Sequence, residues 1–347
     1  MTAGPALGGR LHAALRELSP GYFAAVMATG VVSVGLGYEG RRLLSRVLLV
    51  LTVAAFVALV LLNGWRLLSH RAELVDDFTH PLRGFGFYTF VAAADVLAAR
   101  IATTHTDLSL WLLGIAAGCW LLRGYAVPWT TRLGAGERPI VAAANGTWFM
   151  WAVGGQSVAV AAAALAVVRP GPFLPAVAVG AWFIGVFLYA VDGVFVAMRL
   201  LAYDFGPEDL TPPYWVAMGA AAITALAGAE ITLLPRDALL EAAGGAIRGG
   251  SLFAWVLASW LMPALFAMGW WRHVTHRVPL VYDANLWSIV FPLGMYAVAS
   301  TRLGQAEDLS LLGDVGRVWL WLALAAWTVT FLAGVSHVVR RVLLPGC

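Results

Sequence analysis

Residues 19–33 read Ser-Pro-Gly-Tyr-Phe-Ala-Ala-Val-Met-Ala-Thr-Gly-Val-Val-Ser. Ser19 suits a helix N-cap and Pro20 a first turn. Tyr22 suits a membrane–water interface. Small and apolar residues follow, and no charge occurs before Glu39. This is the start of a membrane-spanning helix. It runs too long, and lacks the A-x-A site, for a cleaved signal. The same punctuation returns four times: HPLRGFGFYTF from His80, NGTWFMWAVGG from Asn145, TPPYWVAMGAA from Thr211 and DANLWSIVFPLG from Asp283.

The rest of the chain agrees. Of its 347 residues 61% are hydrophobic and 12% charged, with a mean hydropathy of +0.81. A soluble fold cannot hide that much apolar surface, so soluble enzymes, disordered regulators and disulfide scaffolds are excluded. At ~20 residues per span the chain holds about ten helices. The apolar runs fall at 20–38, 43–65, 84–99, 107–127, 145–168, 173–200, 213–234, 251–271, 284–301 and 317–339. The third is short, as an interface-started or broken helix would be. The expected layout is a segment 1–19, a ten-helix domain over 20–340 and a tail 341–347.

All 22 basic residues are Arg, and the net charge of +3 gives no nucleic-acid footprint. Thirteen Arg fall on the side of the termini and nine on the other. That bias expects a multi-pass protein of the plasma (inner) membrane with both termini cytoplasmic. Cys119 and Cys347 have no evident partners, and neither a metal site nor a cofactor is expected. P-loops, Ser-His-Asp sets and clustered His ligands are all missing, so the sequence does not read as an enzyme.

The odd-numbered spans are thus the marked ones, and the even spans are plainer runs of Leu, Val, Ala and Trp. The expected fold is all-α and polytopic, with ten transmembrane helices as five helical hairpins, one marked helix to each. The alternative is that any helix starting on that side acquires caps and aromatics.

Four of these motifs, PGYFAAVMATGVVS, HP…GFYTF, PPYWVAMGA and WSIVFPLG, resemble the tellurite-resistance/dicarboxylate transporter family, which includes the slow-type anion channels. The resemblance runs from about Ser19 to Arg341. It implies quasi-fivefold symmetry, odd helices lining a central pore and a homotrimer in the lipid bilayer. It also implies passage of small inorganic anions, sulfite, or malate-type organic dicarboxylates. The gate it implies is Phe291, beside Pro292, where a kink or break is expected. Gly294 would leave the ring room to swing.

The expected pore-lining residues are Thr29, Gly30, Thr89, Gly155, Gly219 and Gly294. The hydroxyls among them, with Ser33 and Gln156, are either anion donors or simply bonded to their own helices. Two intramembrane carboxylates are candidate proton or ion sites. Asp95 belongs either to the pore mouth or to an interface pair with Arg100. Asp192 is either a coupling carboxylate or half of an ion pair with Arg199. Glu230, at a helix end, reads as functional or merely solvated. No Arg falls mid-way along an odd span, so a conducted anion would rely on helix N-termini and neutral donors. A proton-coupled carrier using Asp95 or Asp192 is the alternative to a channel.

Overall fold

A computed structural model of the protein describes residues 15–16, 18–80, 82–133, 140–235 and 237–340. Residues 1–14 and 17 of the expected segment 1–19, and the whole expected tail 341–347 with Cys347, lie outside the described residues, as do Arg10, Arg138, Arg236 and Arg341 of the charge tally. Among the described residues ten helices, the odd ones counted with their short entry turns, are long and apolar enough to cross a membrane. They are α1 (Phe23–Tyr38), α2 (Arg42–Ser69), α3 (Tyr88–Ile101), α4 (Thr106–Leu133), α5 (Met150–Val168), α6 (Phe173–Ala202), α7 (Val216–Thr232), α8 (Ala238–Trp270), α9 (Trp287–Ala306) and α10 (Ser310–Val338). A short helix, Arg71–Thr79, lies between α2 and α3.

Two starts differ from the sequence reading. α8 begins at Ala238 rather than 251, capped by Asp237, whose Oδ1 accepts from the Leu240 amide at 2.8 Å. The glycines at 244, 245, 249 and 250 read as a loop because glycine is a poor helix former. Gly250 is nevertheless held in the helix against the Trp182 ring. α10 likewise begins at Ser310 rather than 317.

Burial divides the helices by parity. In the most apolar stretch of each odd-numbered helix 61–78% of residues are buried, against 11–39% in the even-numbered ones. The odd helices are short and rich in Ala and Gly, which lets backbones approach closely. Each packs on the next, in the order α1, α3, α5, α7, α9, and α9 returns to α1. The even helices carry the exposed Leu, Val and Trp side chains.

Each odd helix is entered through a 3₁₀ turn: Pro20–Tyr22, Arg83–Phe87, Gly146–Phe149, Pro212–Trp215 and Ala284–Leu286. Ser19, Asn145 and Asp283 cap their turns by accepting from backbone amides two residues on. Thr211 makes no such bond. At the Arg83–Phe87 turn His80 takes the role, its Nδ1 accepting from the amides of Leu82 at 3.1 Å and Arg83 at 3.3 Å. The five turns touch in a closed collar. A β-carbon on Gly86 would stand 3.2 Å from the Gly21 nitrogen, and one on Gly146 would overlap the Pro213 carbonyl. Glycine there sets how tightly the collar closes.

Tryptophans stitch even helices to the next odd helix. Trp182 Nε1 of α6 donates to the Thr224 carbonyl of α7 at 3.0 Å, Trp255 Nε1 of α8 to Ser300 Oγ of α9 at 2.8 Å, and Trp327 Nε1 of α10 to Thr29 Oγ1 of α1 at 2.9 Å. Trp120 of α4 packs against Gly154 and Gly155 of α5 without such a hydrogen bond.

Candidate functional site

At the end away from the collar, the odd helices enclose a cavity of about 580 Å³. Each of them supplies lining: Val31 and Tyr38 from α1, Asp95 and Arg100 from α3, Ser157 from α5, Ile223 and Glu230 from α7, Met295 from α9. α2 adds Arg42, Ser45 and Arg46. Arg42 and Arg46 are exposed at the rim. Arg100 donates through Nη2 to Ser45 Oγ at 3.0 Å. Ser45 and Ser33 exchange hydroxyl-to-carbonyl bonds of 2.7 Å, clasping α1 to α2.

Two carboxylates face this cavity, and their charges are handled differently. Glu230 is not merely solvated. Its oxygens accept from Arg302 Nε at 2.6 Å and Nη2 at 2.7 Å, a fork that ties α7 to α9. The Arg302 guanidinium also lies 5.3 Å from the Tyr38 ring centroid. Asp95 has no such partner. It is 1% exposed, and its Oδ2 accepts from Ser157 Oγ at 2.8 Å. Its Oδ1 has no hydrogen-bond partner. The expected interface pair with Arg100 is not formed, because Arg100 turns to Ser45 on α2.

Asp192 lies elsewhere. It is fully buried on α6, outside the cavity, with no side-chain partner among the described residues and the Ala152 backbone of α5 beside it. Arg199, its expected partner, reaches Asp209 at 3.6 Å and the Asp204 carbonyl at 2.7 Å instead.

Phe291 is fully buried on α9, one helical turn before the cavity residue Met295. Gly219 of α7 is its neighbour. A β-carbon there would stand 3.3 Å from Phe291 Cε1 and 2.8 Å from Pro292 Cγ. α9 runs through Pro292 without the expected break. The proline ring is accommodated where Gly219 carries no side chain. Gly294 faces Val31 and Val32 of α1 rather than the Phe291 ring.

The other expected lining residues have partners in neighbouring helices and turns. The Thr29 hydroxyl donates to the Ala25 carbonyl and receives Trp327. Gly30 meets Val96 and Thr52, and Gly155 meets Trp120 and Gly185. Thr89 donates to the carbonyls of Pro20 and Gly86, inside the collar. Gln156 donates to the Trp182 carbonyl. Arg42 and Arg46 carry no site signal in the sequence because they sit at a helix end, where they count only toward orientation.

A second charged cluster lies beside the collar. Arg66 of α2 and Asp77 of the short helix form a buried ion pair at 2.6 Å, their side chains 3% and 8% exposed. Arg83 adds contacts to Asp77 at 3.1 Å and Asp76 at 2.6 Å. The His80 imidazole is held below its ordinary value, first by partial burial and then by the nearby Arg83 charge, with Asp76 and Asp77 pulling the other way. Among the described residues no three His, Cys, Asp or Glu gather as a metal site.

Comparison with known proteins completes the picture. An uncharacterized membrane protein of Mycobacterium tuberculosis (strain H37Rv) is 49% identical over 156 residues, which is 45% of this chain and 79% of that protein. Two uncharacterized transporters of Methanocaldococcus jannaschii are each 22% identical. One aligns over 338 residues, 93% of this chain and 96% of that protein, and the other over 348 residues, 96% of each. A family model described as the voltage-dependent anion channel, SLAC1, matches residues 17–335. That match reaches into every one of the ten helices, so the chain belongs to the SLAC1 anion-channel family and is a membrane transport protein, not an enzyme.

Proposed function

We propose that the protein passes small anions through a path enclosed by α1, α3, α5, α7 and α9, entered through the arginine-rimmed cavity and closed by Phe291. The observation that carries this reading is the cavity. All five inner helices line it, and Arg42, Arg46 and Arg100 stand in it with no carboxylate paired to them among the described residues. A concave surface with excess positive charge concentrates anions. The charge sits at the mouth rather than deep in the path, and weak binding along the path favours rapid exit.

Phe291 supports the gate reading by position: it lies directly beyond the cavity floor, on the same helix as Met295, and fills the space beside Gly219. Family membership supports sulfite, inorganic anions or dicarboxylates as the cargo and a homotrimer with one path per subunit. The Arg bias supports a plasma-membrane orientation with cytoplasmic termini, which puts the cavity on the outer side.

A second reading, a proton-coupled carrier, is favoured by one observation: Asp95 lines the cavity. Asp192 lies outside the cavity, which weighs against its direct contact with cargo in either reading. The deciding experiment is uptake of sulfite, nitrate, chloride and malate by liposomes holding the full chain, with and without a pH gradient. Anion flux independent of the gradient supports the channel, and gradient-driven uptake supports the carrier. No flux of any of the four would reject both.

A further inference from the structure

We infer that Asp95 makes the path conditional on a proton: anions pass when its carboxyl group is protonated, and the ionised carboxylate shuts them out. The inference rests on the permeation reading above and adds to it a residue that sets the permeant charge.

An anion drawn in by Arg42, Arg46 and Arg100 meets Asp95 inside the cavity. Like charges at close range in a partly dehydrated space repel strongly. The other charged and titratable groups around the cavity do not cancel this carboxylate by contact. From α2 come Arg42 and Arg46, exposed at the rim. On α3 itself Arg100 is bonded to Ser45. α1 brings the Tyr38 phenol, and α7 brings Glu230, already forked to Arg302 of α9. α5 contributes Ser157 and no charge, and the α9 residues at the cavity, Met295 and Val298, are apolar.

Hydrogen bonding points the same way. An ionised carboxylate only accepts, whereas a protonated one also donates. Oδ2 is occupied by Ser157, and Oδ1 is left without a partner. Oδ1 is thus the oxygen free to take a proton, and that proton removes the repelling charge.

The test uses nitrate, whose charge is constant across the range, and the full chain in liposomes with equal pH on both sides. Flux through wild type and through Phe291→Ala should fall roughly tenfold or more from about pH 5 to about pH 8. Asp95→Asn, placed in either background, should give a flat profile at or above the acid level. Asp95→Glu should keep the fall. Ser157→Ala, which removes the donor that stabilises the ionised form, should move the fall to higher pH. Parallel profiles with and without Asp95→Asn would overturn the inference and leave permeation intact. Absence of nitrate flux at every pH would overturn the permeation reading and the inference with it. If Asp95→Asn does not reach the membrane folded, the Ser157→Ala profile decides: an unmoved fall overturns the inference.

Discussion

Truncating Phe291 to alanine distinguishes a plug from a packing residue, because the two roles move transport in opposite directions. Phe291 lies four residues before Met295, and Gly219 four residues before Ile223, so both stand about 6 Å beyond the cavity floor. Removing the ring extends the cavity by about one helical turn toward the collar. The same change removes a fully buried aromatic, which costs about 3–5 kcal/mol of stability. Both effects are expected together: less folded protein, and more flux through each folded copy. A rise of about tenfold in flux corresponds to about 1.4 kcal/mol off the barrier. The assay is chloride or nitrate efflux from liposomes, divided by folded protein measured by size-exclusion chromatography. Gly219→Ala serves as the control. It crowds the same contact without removing the ring, so it should cost about 1–3 kcal/mol without the rise in flux. If Phe291→Ala leaves flux per folded protein unchanged or lowers it, the ring is packing and the gate assignment is wrong.

Three further outcomes follow from the charged cluster and from topology. Asp77→Asn leaves the buried Arg66 charge unpaired and should cost about 3–5 kcal/mol, read as a drop in thermal stability in detergent, whereas Arg66→Met leaves Asp77 its contact with Arg83 and should cost less. The double replacement Arg66→Met with Asp77→Leu should recover much of that loss. Because His80 Nδ1 accepts two backbone amides, its ring must be neutral in the folded state, with the proton on Nε2. Its folded value lies below the ordinary 6.5, so the unfolded chain takes up the proton first. Stability is full above 6.5 and declines as pH falls through it. His80→Ala should cost about 0.5–2 kcal/mol at neutral pH and flatten that acid limb of a melting-temperature profile. A reporter fused after Cys347 should read as cytoplasmic, and periplasmic activity there would reverse the orientation.

The helices were legible because an apolar run of this length has few other fates. The caps Ser19, Asn145 and Asp283 were legible because their side chains bond within a few residues of themselves. What depends on a distant partner was not. Thr29 reads as a pore hydroxyl until Trp327 is seen bonded to it, and Trp182, Trp255 and Trp327 read as lipid-facing residues in plain even spans. Glu230 looks like a solvated helix end because Arg302 lies 72 residues away. Pro292 signals a break in isolation, yet the helix continues because space exists at Gly219 on another helix. Asp95 and Asp192 look alike in sequence, since each is a lone carboxylate in an apolar run. Only the packing of their helices separates one that meets the cavity from one that does not.

The closed circuit of inner helices has a consequence for biogenesis. Its last joint brings α9 and α10 against α1, where Trp327 meets Thr29 across 298 residues and Arg317 meets Glu39 across 278. During synthesis the first hairpin must wait in the bilayer until nearly the whole chain has been translated. Throughout that wait one flank of α1 faces lipid or the insertion machinery instead of its mate. Contacts this remote in sequence form late and are slow to find. A lesion at this joint should therefore reduce the yield of inserted protein more than the stability of molecules already assembled. Gly35 of α1, covered in the finished fold by Leu320 of α10 and Val298 of α9, gives the arriving helices a place to dock without first displacing a bulky side chain.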